Sequence, residues 1–88
     1  MKVLVVDDEA PARARLARLV SELDGFEVVG EAGDGAEAVR RAEATAADII
    51  LLDVRMPGMD GLEAARHLAH TDPPPAVIFT TAYGDHAL

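Results

Sequence analysis

Cysteine and tryptophan are absent from this chain, and aromatics amount to one tyrosine and two phenylalanines. Without cysteine there is no disulfide framework and no thiolate metal centre, which fits a cytoplasmic, reducing setting. Long hydrophobic runs are missing as well: none approaches the roughly 18–20 residues of a membrane span. Positive charge is scarce, with 8 Lys+Arg against 16 Asp+Glu and a formal net charge of −8. That balance argues against direct nucleic-acid binding by this segment. The N-terminus opens at once into a strand-like run and leaves no room for a signal peptide. No internal repeat or low-complexity tail is present.

What is there is a small α/β pattern. The 88 residues are 50% hydrophobic, enough for the core of one small domain. A short β-branched run, Lys2-Val3-Leu4-Val5-Val6, ends in the acids Asp7-Asp8-Glu9. A second apolar run, Ile49-Ile50-Leu51-Leu52, ends in Asp53 and is followed by the turn Arg55-Met56-Pro57-Gly58-Met59-Asp60-Gly61. Both read as buried strands bounded by turn or helix-start signals. Ligands of open α/β sheets sit outside the carboxyl ends of strands, where strand order reverses. Neighbouring strands ending there in carboxylates make a strongly negative pocket, suited to a hard divalent cation. One of the carboxylates is then available as a nucleophile.

The remaining elements alternate. The first helix carries Pro11 in its first turn. Its apolar positions Ala12, Leu16, Leu19, Val20 and Leu23 are predicted to share a face, with Arg13, Arg15 and Arg18 turned outward. Asp24-Gly25 ends it, and Phe26 to Gly30 forms a half-exposed second strand. Asp34 and Glu37 have the spacing of a capping box that opens a helix to about Ala44. A third helix starts near Asp60 and is predicted to turn Leu62, Ala65 and Leu68 inward. Thr71 to Pro75 is a stiff connector, and Ala76 to Thr80 a fourth strand. Such alternation predicts βαβ units and a parallel sheet.

Four blocks now stand in order: Val3-Leu4-Val5-Val6-Asp7-Asp8-Glu9, Asp48-Ile49-Ile50-Leu51-Leu52-Asp53, Met56-Pro57-Gly58-Met59-Asp60-Gly61 and Phe79-Thr80-Thr81-Ala82. In them the whole chain resembles a bacterial response-regulator receiver domain of a two-component system. The resemblance implies a flavodoxin-like, doubly wound parallel sheet in the order 2-1-3-4-5, of which about four strands and three helices (2-1-3-4) fall within this chain. The stretch Thr81 to Leu88 further resembles regulators with a LytTR-type DNA-binding output.

The resemblance also implies chemistry. Asp53 matches the phosphoacceptor, charged from a phosphohistidine of a sensor histidine kinase. Mg2+ is the implied cofactor, with Asp8 and Asp53 as ligands, Asp7 direct or through water, and the backbone carbonyl of Arg55 as the remaining protein ligand. Thr81 matches the hydroxyl that bonds the phosphoryl oxygens and couples the site to the surface. Such a domain accepts phosphate and is not an enzyme on a separate substrate, although it assists its own phosphorylation and dephosphorylation.

Each assignment has a plainer rival. Asp8 as a cap of the first helix, Asp7 as a solvated strand end and Asp53 as an ordinary strand-to-turn aspartate are common roles for this residue. The pairing of the two strand ends and the turn after Asp53 favour the metal site. Asp60 reads as a helix cap, Pro57 and Gly58 as shapers of the turn, and Met56 and Met59 as packing around it. His67, His70 and His86 show no ligand spacing and read as surface residues. A haloacid-dehalogenase-like phosphatase needs a second acid two residues after its aspartate, where this chain has Arg55. A flavodoxin needs a hydroxyl-rich loop where it has Asp7-Asp8-Glu9.

A receiver domain has five strands in roughly 120 residues, within the usual domain range. This sequence reaches only the fourth, so residues 1–88 read as an incomplete receiver domain of a longer transcriptional regulator. The family's strand-five lysine has no counterpart, since Lys2 is the only lysine and lies at the wrong end of its strand. Phosphotransfer is therefore expected to be impaired. A pure interaction module that is never phosphorylated is the alternative. An uncovered strand-four edge predicts a homo-oligomer, by edge pairing or by exchange of a terminal element hinged near Gly84.

Overall fold

The computed structural model describes residues 1–80. Thr81, Gly84 and His86, and any start of a fourth helix, lie outside them. The elements run β1 (Lys2–Val6), α1 (Ala10–Ser21), β2 (Glu27–Ala32), α2 (Gly35–Thr45), β3 (Ile49–Leu52), α3 (Gly61–Leu68) and β4 (Ala76–Phe79). All strand pairs are parallel and the order is β2-β1-β3-β4. This is the predicted flavodoxin-like arrangement, in which consecutive strands need helical crossovers. In register, Val6 stands opposite Leu52, so the residues just past each strand, Asp7 and Asp53, emerge side by side.

Helices cover both faces. One face packs Leu4, Val6, Ile50 and Leu52 against α2 and α3 through Ala38, Ala42, Ala64 and Leu68. The other packs Val3 and Val5 against Ala17 and Val20 of α1. Small alanines at the helix contacts let α2 and α3 sit close to the sheet, and Leu4, Ile50, Leu52 and Leu68 are fully buried. Large-to-alanine changes at such positions typically cost about 2–5 kcal/mol.

Two helix faces differ from expectation. On α1 the buried residues are Ala17 and Val20, while Leu19 and Leu23 are exposed, and the helix ends at Ser21 before Leu23 is reached. On α3 the buried residues are Gly61, Ala64 and Leu68; Leu62 is exposed and Ala65 only half-buried. Gly61 packs against the Asp53 and Val54 backbone, a contact with no room for a side chain, and Ala64 and Leu68 share its buried face. The second strand also runs to Ala32 rather than Gly30, and the fourth stops at Phe79.

The predicted caps form. Asp34 Oδ1 accepts from the Glu37 N–H at 2.8 Å, and Asp60 Oδ1 from the Glu63 N–H at 2.9 Å. Glu37 reaches back as expected but bonds the Gly33 N–H at 2.8 Å. That bond, and next the Arg41 guanidinium at 3.0 Å, hold the Glu37 carboxyl below its ordinary pKa. A carboxyl depressed on folding adds stability above its unfolded value and loses it as pH falls through the folded one. Glu37→Gln should therefore cost about 0.5 kcal/mol near neutrality, as for a partly exposed i,i+4 pair. Urea titrations at stepwise lower pH should show the gap to wild type closing below the usual carboxylate range. A gap independent of pH would contradict this.

Candidate metal and phosphoacceptor site

The site forms where β1 and β3 end. Asp7, Asp8 and Asp53 each offer a carboxylate oxygen, and these atoms lie within 4.8 Å of one another. Asp7 and Asp53 are half-buried and Asp8 is exposed. Three anionic groups this close repel in the absence of a counterion, so the backbone has to hold them in place.

Local bonds do so in a matching way at both strand ends. Asp7 Oδ1 accepts from the Glu9 N–H at 2.9 Å, and Asp53 Oδ1 from the Arg55 N–H at 3.1 Å. Each aspartate thus bonds the backbone two residues on, an Asx turn that fixes the direction of its carboxylate. The turn after Asp53 is then shaped by Gly58, at φ +74, and closed by the Gly61 N–H on the Val54 carbonyl at 2.9 Å. Met56 is buried and Met59 packs against the same core, so both methionines pin the turn from below.

The plainer role for Asp8 fails. The N-cap of α1 is Glu9, with no side-chain capping bond, so Asp8 does not cap the helix. Asp7 is bonded rather than merely solvated. His67 and His70 are exposed, as expected.

Arg13 is where the sequence misled. It is not turned to solvent like its neighbours: its guanidinium donates to the Asp7 carbonyl at 2.9 Å and to Glu31 at 3.1 Å. Helical periodicity places its Cα on the outer flank of α1, and only the path of β2 brings Glu31 within reach. Thr80 was missed too. Its N–H donates to the Leu52 carbonyl at 3.0 Å, and it lines a cleft with Asp7, Asp53, Arg15, Leu16 and Leu19. The signal available was its place in line with Asp53 one strand over. The cleft wall explains why Leu19 is exposed although it belongs to the apolar stripe.

Residues 3–88 match the family model of the response regulator receiver domain. The chain is 53% identical to the positive alginate biosynthesis regulatory protein of Pseudomonas aeruginosa over 89 residues, all of this chain and 36% of that protein. It therefore spans about a third of the length of that relative. Among solved structures, the response regulator domain of Thermotoga maritima CheB superposes with a TM-score of 0.89 at 35% identity, over 98% of this chain and 63% of that one. CheY of Borrelia burgdorferi, solved with CheX, BeF3 and Mg2+, superposes with a TM-score of 0.86 at 31% identity, over 99% of this chain and 66% of that one. With the order β2-β1-β3-β4 and the acid cluster in place, the chain belongs to the receiver-domain family of two-component response regulators.

Proposed function

We propose that Asp53 accepts a phosphoryl group from a phosphohistidine on a sensor histidine kinase, with Mg2+ held by the acid cluster. The signal would pass to a DNA-binding output domain of LytTR type in a longer cytoplasmic regulator. The observation that carries this reading is the convergence of the three carboxylates.

Three hard oxygen donors suit magnesium, which prefers octahedral oxygen ligands and keeps several waters. Asp8 and Asp53 would hold it directly, Asp7 directly or through water, and the Arg55 carbonyl would complete the protein's share. When bound, the cation supplies the positive charge that lets a carboxylate approach an anionic phosphoryl group. The Arg55 N–H orients Asp53. Thr81 would bond the phosphoryl oxygens and report the modification. The cleft beside the acids, walled by Arg15, Leu16 and Leu19, would receive the kinase. Lys2, the only lysine of the 88 residues, begins β1 at the end opposite the acids. Phosphorylation of this chain alone is therefore expected to be slow. The net charge of −8 disfavours DNA contact by the segment itself.

The test is an Mg2+ titration followed by calorimetry or amide NMR shifts. Saturable binding should be lost in Asp8→Ala/Asp53→Ala. Binding that survives both changes sinks the site.

A second reading, an interaction module, rests on β4. It pairs only with β3 among the described residues, and Ile78 and Phe79 are 51% and 44% exposed. Ile78 also lines an apolar cleft with Val3, Val20, Leu23, Phe26 and Leu51. An uncharged apolar edge is a template for strand pairing. The partner matched to it in length and pattern is the same edge of a second copy, related by a two-fold axis. Light scattering across a dilution series should show a dimer that dissociates on dilution. A cooperative monomer at every concentration removes this reading.

A further inference from the structure

We propose that Arg13 is a positioning residue for the acid cluster, clamping the peptide unit that joins Asp7 to Asp8. This rests on the reading of that cluster as a cation site. Arg13 lies in the first turns of α1 with a side chain only 24% exposed. Its guanidinium bonds in two directions: Nε donates to Glu31 Oε1 at 3.1 Å, and Nη1 to the Asp7 carbonyl at 2.9 Å. Nη1 also packs over the backbone of Gly33, where an added Cβ would come within 3.3 Å of it.

The bonded carbonyl is what makes this contact functional. It belongs to the peptide plane between the two acids, and a rigid plane held at its oxygen fixes the backbone on both sides. Two further polar groups of Asp7 are held as well: its N–H donates to the Ala32 carbonyl at 3.1 Å, and its Oδ1 accepts from the Glu9 N–H. Arg13 thus links α1, β2 and the end of β1 into one frame around two of the three carboxylates. Glu31 offsets its charge, so Arg13 acts through geometry and not as a counterion to the site. A partly exposed ion pair contributes little by itself, whereas the planar fork can span two acceptors at once, which an ammonium does not reproduce.

The experiment is the Mg2+ affinity of the 88-residue protein, with folding checked by circular dichroism in the same samples. Arg13→Gln should weaken binding about tenfold, the lower end of what is lost when groups that orient metal ligands are removed. It should also shift the Asp8 amide resonance before any cation is added. Arg13→Lys, which keeps the charge and is the milder change for folding, should be weakened too. Arg18→Gln, an exposed arginine on the same helix, should stay near wild type and controls for net charge. Wild-type affinity in a folded Arg13→Gln protein overturns the proposal. So does wild-type affinity in Arg13→Lys, which would assign the effect to charge. Lower thermal stability with unchanged affinity likewise reduces Arg13 to a structural role. Failure of the cation reading is seen separately, as binding in the wild type that persists when Asp8 and Asp53 are both alanine.

Discussion

Incubated with a small phosphodonor and Mg2+, the chain should gain the mass of a single phosphoryl group, and the Asp53→Asn protein should gain none. Asparagine keeps the shape and can still accept the Arg55 N–H bond, so the turn should survive. What is lost is the nucleophile. An amide oxygen carries no full charge and forms no stable acyl phosphate, so the loss should be complete within detection. Asp7 and Asp8 lie within the same 4.8 Å cluster but should remain unmodified. Both follow β1 and are proposed to hold the cation, whereas Asp53 follows β3 and begins the turn to Gly61. Hydroxylamine lability and peptide mapping would locate the modification. A phosphoryl group on Asp8, or a rate matching that of a longer regulator that carries the strand-five lysine, would contradict the assignment.

Gly61→Ala should be the most damaging single methyl group near the site. A Cβ there would collide with the Asp53 carbonyl oxygen and lie 2.7 Å from the Val54 Cα. Both obstacles are backbone, so neither can rotate away. Replacing glycine normally stabilises by about 0.4–1 kcal/mol through the unfolded chain. Overpacking a tight contact costs about 1–3 kcal/mol, so the clash should win. Small domains hold only a few kcal/mol in reserve, and α3 would have to move as a unit. The expected result is a lower urea midpoint together with weaker Mg2+ binding, because the displaced atoms carry Asp53. A protein with wild-type stability and affinity would show that the loop relaxes freely.

Much of this architecture was readable in the residues because it rests on strong local signals. The strand ends Asp7 and Asp53 were fixed by apolar runs stopping at acids. The caps at Asp34 and Asp60 followed from short-range hydrogen bonding. The methionines of the turn were placed by the apolar need beneath it. The errors share a cause. The pattern of α3 points Leu62, Ala65 and Leu68 inward, yet with Gly61 packed on the Asp53 backbone it is Ala64 that is buried beside Leu68 while Leu62 is exposed. Leu19 was assigned to the core by its period, but it walls the cleft. Arg13 was read as solvated because helix periodicity knows nothing of Glu31, 18 residues away. Each difference lies where a contact outside the helix itself overrides its own periodicity.

The acids stand on the two inner strands, β1 and β3, and each of these is flanked by a neighbour on both sides. Leu4, Val6, Ile50 and Leu52 behind them are fully buried. Local opening begins where strands have one neighbour and exposed side chains, which among the described residues means β4 and the outer side of β2. Amide protons of β1 and β3 should therefore be the slowest in the molecule to exchange with solvent. The edges can fray and re-form many times while the carboxylates keep their spacing. The cluster would then disperse only with global unfolding, and the edges could remodel without disturbing the spacing of the acids at the centre.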